Sequence, residues 1–138
     1  MKAIQVYLTF QGNCGEAMTF YQSCLGGELN LMKVRDSPMA SQWPDNVQEH
    51  VLHSYLSSDG LVLMASDMPV PGSNIHGSAI SPALVCSNEQ EIKAYYDRLA
   101  AGGEAIQPLH PFFAGLIGVL KDKFGVSWML NCPLENQA

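Results

Sequence analysis

Two stretches of the chain repeat one another. Residues 16–28 read Glu-Ala-Met-Thr-Phe-Tyr-Gln-Ser-Cys-Leu-Gly-Gly-Glu, and residues 91–104 read Glu-Ile-Lys-Ala-Tyr-Tyr-Asp-Arg-Leu-Ala-Ala-Gly-Gly-Glu. Both open on glutamate, carry an aromatic pair four residues on (Phe20-Tyr21, Tyr95-Tyr96) and close on Gly-Gly-Glu. A chain of 138 residues built this way must fold as two like modules. A half of about 65 residues is too small to bury a sheet well alone, so the two are expected to share a buried face and to curl into a trough where a ligand site forms.

Each copy has helical spacing. Ala17, Phe20, Tyr21, Cys24 and Leu25 fall on one face, as do Ile92, Tyr95, Tyr96, Leu99 and Ala100, so Phe20 and Tyr95 are expected to pack onto a sheet. Asn13 with Glu16, and Asn88 with Glu91, read as capping boxes, and Gly26-Gly27 and Gly102-Gly103 as stops. Strand patterns flank each helix: 3–10, 29–34, 51–56 and 61–66 around the first, and 78–86, 105–107, 116–120 and 126–132 around the second. Ser58-Asp59-Gly60 and Asp122-Lys123-Phe124-Gly125 read as turns. Residues 35–48 and 67–77, rich in proline, read as long loops, the second joining the halves. The fold class is therefore α+β: two tandem βαβββ modules forming a cupped mixed sheet, one domain over 1–138 with an internal repeat at 1–68 and 76–133.

Composition limits the partners. Hydrophobic residues make up 47% and charged residues 14%, enough for a core. A net charge of −6 argues against nucleic acid and suits a neutral or cationic small ligand. No apolar run approaches the roughly 18 residues that span a bilayer, so no membrane partner is expected. Met1-Lys2-Ala3-Ile4-Gln5 runs straight into a strand pattern without a signal-peptide layout. Cys14, Cys24, Cys86 and Cys132 form no CxxC; reduced thiols in the cytoplasm are expected, and no zinc site.

The duplicated pattern resembles the vicinal oxygen chelate superfamily, which includes glyoxalase I, bleomycin- and fosfomycin-resistance proteins and extradiol dioxygenases. Several stretches are similar to its PhnB-like (YjdN) branch. They are Tyr7-Leu8-Thr9-Phe10-Gln11-Gly12-Asn13-Cys14, Leu25-Gly26-Gly27-Glu28, His53, Met64-Ala65-Ser66-Asp67, and residues 122–131, Asp-Lys-Phe-Gly-Val-Ser-Trp-Met-Leu-Asn. The resemblance implies a glyoxalase/bleomycin resistance-like fold and a homodimer. That branch often carries the label 3-demethylubiquinone-9 3-methyltransferase. The sequence gives the label no support, because it has no Gly-rich strand-to-helix loop for a nucleoside cofactor.

Superfamily members usually hold one divalent metal with four side chains. The resemblance puts residues near Val6, Met64, Ser81 and Met129 at those positions. None is His, Asp or Glu, so neither metal nor other cofactor is expected. His50 and His53, three apart on a strand, point to opposite faces, and His76 and His110 fall in loops.

On the third strand Leu52 and Leu56 suit packing under a helix, which leaves His53 and Tyr55 facing the cavity. Asp67, ending the neighbouring strand, is placed where a carboxylate could reach an imidazole, making His53 and Asp67 the candidate catalytic pair. Tyr7, Tyr55, Met64, Phe113, Met129 and Trp43 are the candidate ligand-binding residues, with Trp43 as a lid or dimer contact. Phe112-Phe113 reads either as cavity wall or as core. Cys14, near a helix start, is a weak candidate for a lowered pKa. Three functions fit. One is a binding protein that holds a small molecule without the usual metal. Another is an enzyme using His53 and Asp67 for proton transfer on a small oxygenated substrate. The third is a divalent-metal lyase or dioxygenase with shifted ligands.

Overall fold

The computed structural model describes residues 2–67, 77 and 79–133. The chain divides into two compact units, Met1–Ile75 and His76–Ala138. The first contains β1 (Val6–Phe10), α1 (Cys14–Leu25), β2 (Glu28–Lys33), β3 (Val51–Ser58) and β4 (Leu61–Asp67). The second contains β5 (Ala83–Val85), α2 (Glu89–Ala100), β6 (Glu104–Phe112), β7 (Gly115–Lys121) and β8 (Ser127–Pro133). The sheets run β1-β4-β3-β2 and β5-β8-β7-β6. In each, the first strand is parallel to the last and the other pairs are antiparallel. The sequence repeat is thus repeated in hydrogen bonds. Of the second loop only Asp67 and Gly77 are described; Met68 and His76 lie outside the described residues.

Each helix covers one face of its own sheet. Cys14, Ala17, Met18, Tyr21, Cys24 and Leu25 of α1 are buried, as are Phe10, Leu56, Leu63 and Ala65 of the sheet. Ile92, Tyr96 and Leu99 of α2 are buried, as are Leu120, Trp128, Leu130 and Cys132. Phe20 and Tyr95 are only half-buried, contrary to expectation. Met18 takes the inner position in α1, and Tyr95 carries the Arg98 guanidinium 6.0 Å from its ring centre. Tyr96 instead reaches the sheet, its hydroxyl donating between the carbonyls of Gln107 and Val119, both at 2.9 Å. Among the described residues no helix is long and apolar enough to cross a membrane.

The two helix starts differ. Asn88 accepts from the Glu91 N–H at 2.8 Å, and the Glu91 carboxylate accepts from the Ser87 N–H at 2.9 Å. The Asn13 side chain makes no such bond; Asp67 Oδ1 accepts from the N–H groups of Gly12 and Cys14 at 2.7 and 2.9 Å. Asn88→Ala should therefore cost about 1 kcal/mol. Asn13→Ala should change stability by less than about 0.5 kcal/mol. Urea denaturation of the two variants checks this, and equal losses would contradict it.

Both helices leave through paired glycines. Gly26 and Gly27 have φ of 76° and 92°. A Cβ on Gly27 would lie 2.2 Å from the Ser57 carbonyl oxygen, and one on Gly103 would lie 2.2 Å from the Lys121 carbonyl oxygen. The next residue in each copy pairs with that same strand residue, Glu28 with Ser57 and Glu104 with Lys121. The repeated Gly-Gly-Glu is where each chain enters its sheet edge at backbone contact.

The β3–β4 hairpin turns through Asp59 and Gly60, both with positive φ, as a two-residue turn of this twist requires. Asp122 is buried and holds the β7–β8 turn. It accepts from the N–H groups of Phe124 and Val126, and from Trp128 Nε1 at 2.8 Å. Strand β6 is far longer than the sequence suggests. Pro108 and Pro111 lie on it without cost because it is an edge strand paired only with β7, with two register slips along its length. His110 is therefore a strand residue rather than a loop residue. At the opposite edge of the same sheet β5 is shorter than expected, and Ser81 precedes it.

Candidate functional site

The face of the first sheet turned away from α1 carries the residues that suit a site. Strand alternation and register set them in two cross-strand rungs. One rung runs Tyr7–Met64–Tyr55–Asn30. The next runs Thr9–Ser66–His53–Met32, with Ser66 and His53 following the Ala65–Ser54 pair. All eight are exposed or half-exposed, and none is charged. Tyr7 remains 47% exposed. Its hydroxyl shares a 3.1 Å hydrogen bond with His53 Nδ1, and the two rings stack with centroids 5.8 Å apart. With the imidazole neutral and protonated on Nε2, the hydroxyl donates and Nε2–H is left to a ligand. The pair spans β4 from opposite sides, so a molecule on this face would meet an aromatic ledge, a thioether and several neutral hydrogen-bonding groups.

The expected pairing of His53 with Asp67 does not form. Alternation puts Ser66 on the His53 face and Asp67 on the α1 face, where it is 8% exposed. Both carboxylate oxygens are engaged there: Oδ1 by Gly12 and Cys14, and Oδ2 by the Val51 N–H at 2.8 Å. Asp67 joins the β1–α1 connection to the start of β3. It also takes the first N–H of α1, that of Cys14, as a carboxylate at a helix start does.

The candidate ligand-binding residues separate into three places. Tyr7, Tyr55 and Met64 share the rungs with His53. Met129 lies on the corresponding face of the second sheet, and Phe113 stands at the β6–β7 hairpin tip, 91% exposed, with its ring edge-on to Phe112. Phe113 is therefore not core. Trp43, in the connection between β2 and β3, lines a small cavity with Val34, Val47, His50, Val51, Leu52 and Asp67 instead of the His53 face. Thr9, Ser66, Asn30 and Met32 belong to the rungs and were hidden in the sequence; pairing register with Tyr55 and His53 is the signal that finds them.

The second sheet's equivalent rungs are Ala83–Met129–Val119–Gln107 and Val85–Asn131–Ile117–His110. The aromatic positions are replaced by aliphatic ones, and Val85 is 60% exposed.

The positions that the superfamily uses for a metal do not fit one. On the first sheet Tyr7, rather than Val6, shares the rung with Met64, and on the second Ala83 pairs with Met129. A phenol, a methyl group and two thioethers are poor donors for a divalent cation. Among the described residues no three His, Cys, Asp or Glu side chains converge. His50 lies beside Gly12, away from His53. Cys14 is no nucleophile: burial, opposed by a bond to Ser54 and reinforced by Asp67, pushes its thiol up to about 12.

Residues 2–131 match the family model described as 3-demethylubiquinone-9 3-methyltransferase. Protein YjdN of Escherichia coli (strain K12) is 34% identical over 139 residues, covering 91% of each chain. The crystal structure of protein PA1353 from Pseudomonas aeruginosa is 34% identical, covers 95% of this chain and 98% of its own, and superposes with a TM-score of 0.82. A PhnB protein from Bacillus cereus is 27% identical over 95% of this chain and 99% of its own, with a TM-score of 0.75. A glyoxylase/bleomycin resistance protein/dioxygenase domain from Frankia sp. EAN1pec, 14% identical over 99% of this chain and 95% of its own, shares the fold with a TM-score of 0.70.

Proposed function

Because the chain belongs to the PhnB-like family that includes YjdN, on a glyoxalase/bleomycin resistance-like fold, we propose that it binds a small organic molecule on the open face of its first sheet without a metal ion. The methyltransferase description is a family-model name and identifies no activity here. The observation that carries the reading is the Tyr7–His53 pair, hydrogen-bonded and open to solvent on a face with no charged side chain in its two rungs. Such a face favours a neutral or cationic ligand with a planar part: Tyr7 and Tyr55 offer ring faces, and the net charge of −6 attracts cations. Exposed Val85, Ile106 and Phe113 support a homodimer, and four buried cysteine thiols outside any disulfide support the reducing cytoplasm.

A second reading rests on the same bond. In it Nδ1–H donates to the Tyr7 oxygen, which leaves the Nε2 lone pair to take a proton from a bound substrate and replaces the His53–Asp67 scheme.

A thermal-shift screen against planar amines, aromatic antibiotics and neutral metabolites tests the proposal. A true ligand at a hundred times its Kd should stabilise the protein by about 2.7 kcal/mol. Tyr7→Phe and His53→Ala should each weaken it about tenfold by isothermal calorimetry, one lost hydrogen bond apiece. A ligand indifferent to both substitutions sinks this site.

A further inference from the structure

The first unit holds a second polar locus, away from the His53 face. A cavity of about 30 Å³ is lined by Val34, Trp43, Val47, His50, Val51, Leu52 and Asp67. Its walls are mostly apolar, and Trp43, His50 and Asp67 are among the residues that line it. Trp43 Nε1 is buried and has no hydrogen-bond partner in the protein. A buried N–H left unpaired is costly, so native proteins rarely keep one. Asp67 accepts three backbone N–H groups, and a carboxylate has about four acceptor positions, which leaves one open. The His50 ring lies over Gly12, its Nε2 3.3 Å from where a Cβ on that glycine would stand.

We infer that this cavity is a binding site for one ordered water, which accepts from Trp43 Nε1–H and donates to Asp67 and His50. The volume fits: about 10–15 Å³ of such space holds one water. The stoichiometry fits as well, because a buried water typically makes about three hydrogen bonds, and Trp43, Asp67 and His50 all line the cavity. The water ties the long β2–β3 connection to the carboxylate that already joins Gly12, Cys14 and Val51. The same connection is held from within by Gln48, whose side-chain amide donates to the carbonyls of Ala40 and Trp43 at 2.9 and 3.0 Å. Trp43 is thus an anchor for that segment and not a lid.

The test uses the two indoles of the intact, ¹⁵N-labelled protein. Trp128 is an internal reference, because its Nε1–H is already bonded to Asp122. Water-selective NOE spectra should show a cross-peak between the Trp43 indole proton and a long-lived water, and none at Trp128. Trp43→Phe assigns the resonance by its loss; if that variant does not fold, Trp128→Phe assigns it by subtraction. Absence of the cross-peak at Trp43, or a xenon-induced shift of its indole signal marking a dry void, overturns the inference.

Discussion

Asp67→Ala is expected to destabilise the protein by about 4 kcal/mol, most of the stability of a marginal domain. The carboxylate is buried and receives N–H groups from Gly12, Cys14 and Val51 at 2.7 to 2.9 Å. Bonds to a charged acceptor are worth roughly 1.5–3 kcal/mol each, and removing the acceptor strands all three donors. Some of that loss is recovered where water reaches the exposed Gly12, which brings the total to about 4 kcal/mol, a little below the sum of three such bonds. The melting temperature should fall by roughly 15 °C. Asp67→Asn is the sharper probe. It keeps one oxygen but turns an amide donor toward a backbone donor, so it should recover little of the loss. Urea titration of both variants checks this; an alanine variant within 1 kcal/mol of wild type, by the same estimate, would show that these bonds do not hold the first unit together.

Gly27→Ala should cost about 3 kcal/mol, from a strained positive φ and a methyl group forced against backbone. The added carbon would stand 2.2 Å from the Ser57 carbonyl oxygen, and backbone in a paired strand cannot swing aside. Gly26→Ala is the control. Its φ of 76° and ψ of −168° lie in a backbone region kept almost to glycine, but nothing lies within 4 Å of the new carbon, so backbone strain of roughly 1–2 kcal/mol is the whole cost. The difference between the two variants isolates the collision. Gly103→Ala should cost somewhat less than Gly27→Ala: the Lys121 oxygen stands at the same 2.2 Å, but Gly103 has no positive φ to strain. Chemical denaturation of the three decides it, and equal effects at Gly26 and Gly27 would fail the argument.

Those glycines show what the sequence reveals and why. A pair repeated at both helix ends has a backbone reason, and the same contact recurs in both copies. Asn88 with Glu91 reads correctly because capping is local, whereas Asn13 has the same letters and loses the role to a residue far along the chain. The placement of His53 and Tyr55 follows from alternation within one strand. The direction of Asp67 is legible in the same way: Met64 and Ser66 share one face of β4, so Asp67, three residues beyond Met64, faces the other. Phe20 and Tyr95 satisfy helical spacing yet sit at the margin of stripes narrower than five residues suggest. The prolines of β6 read as a loop because nothing in the sequence marks that stretch as an edge strand.

Matched rung for rung, the two sheets keep one scaffold and carry different chemistry. Where one copy bears Tyr7, Tyr55 and His53, its twin bears Ala83, Val119 and Ile117. Swapping aliphatics in the later half should be tolerated, and any attempt to retune recognition belongs in the earlier half.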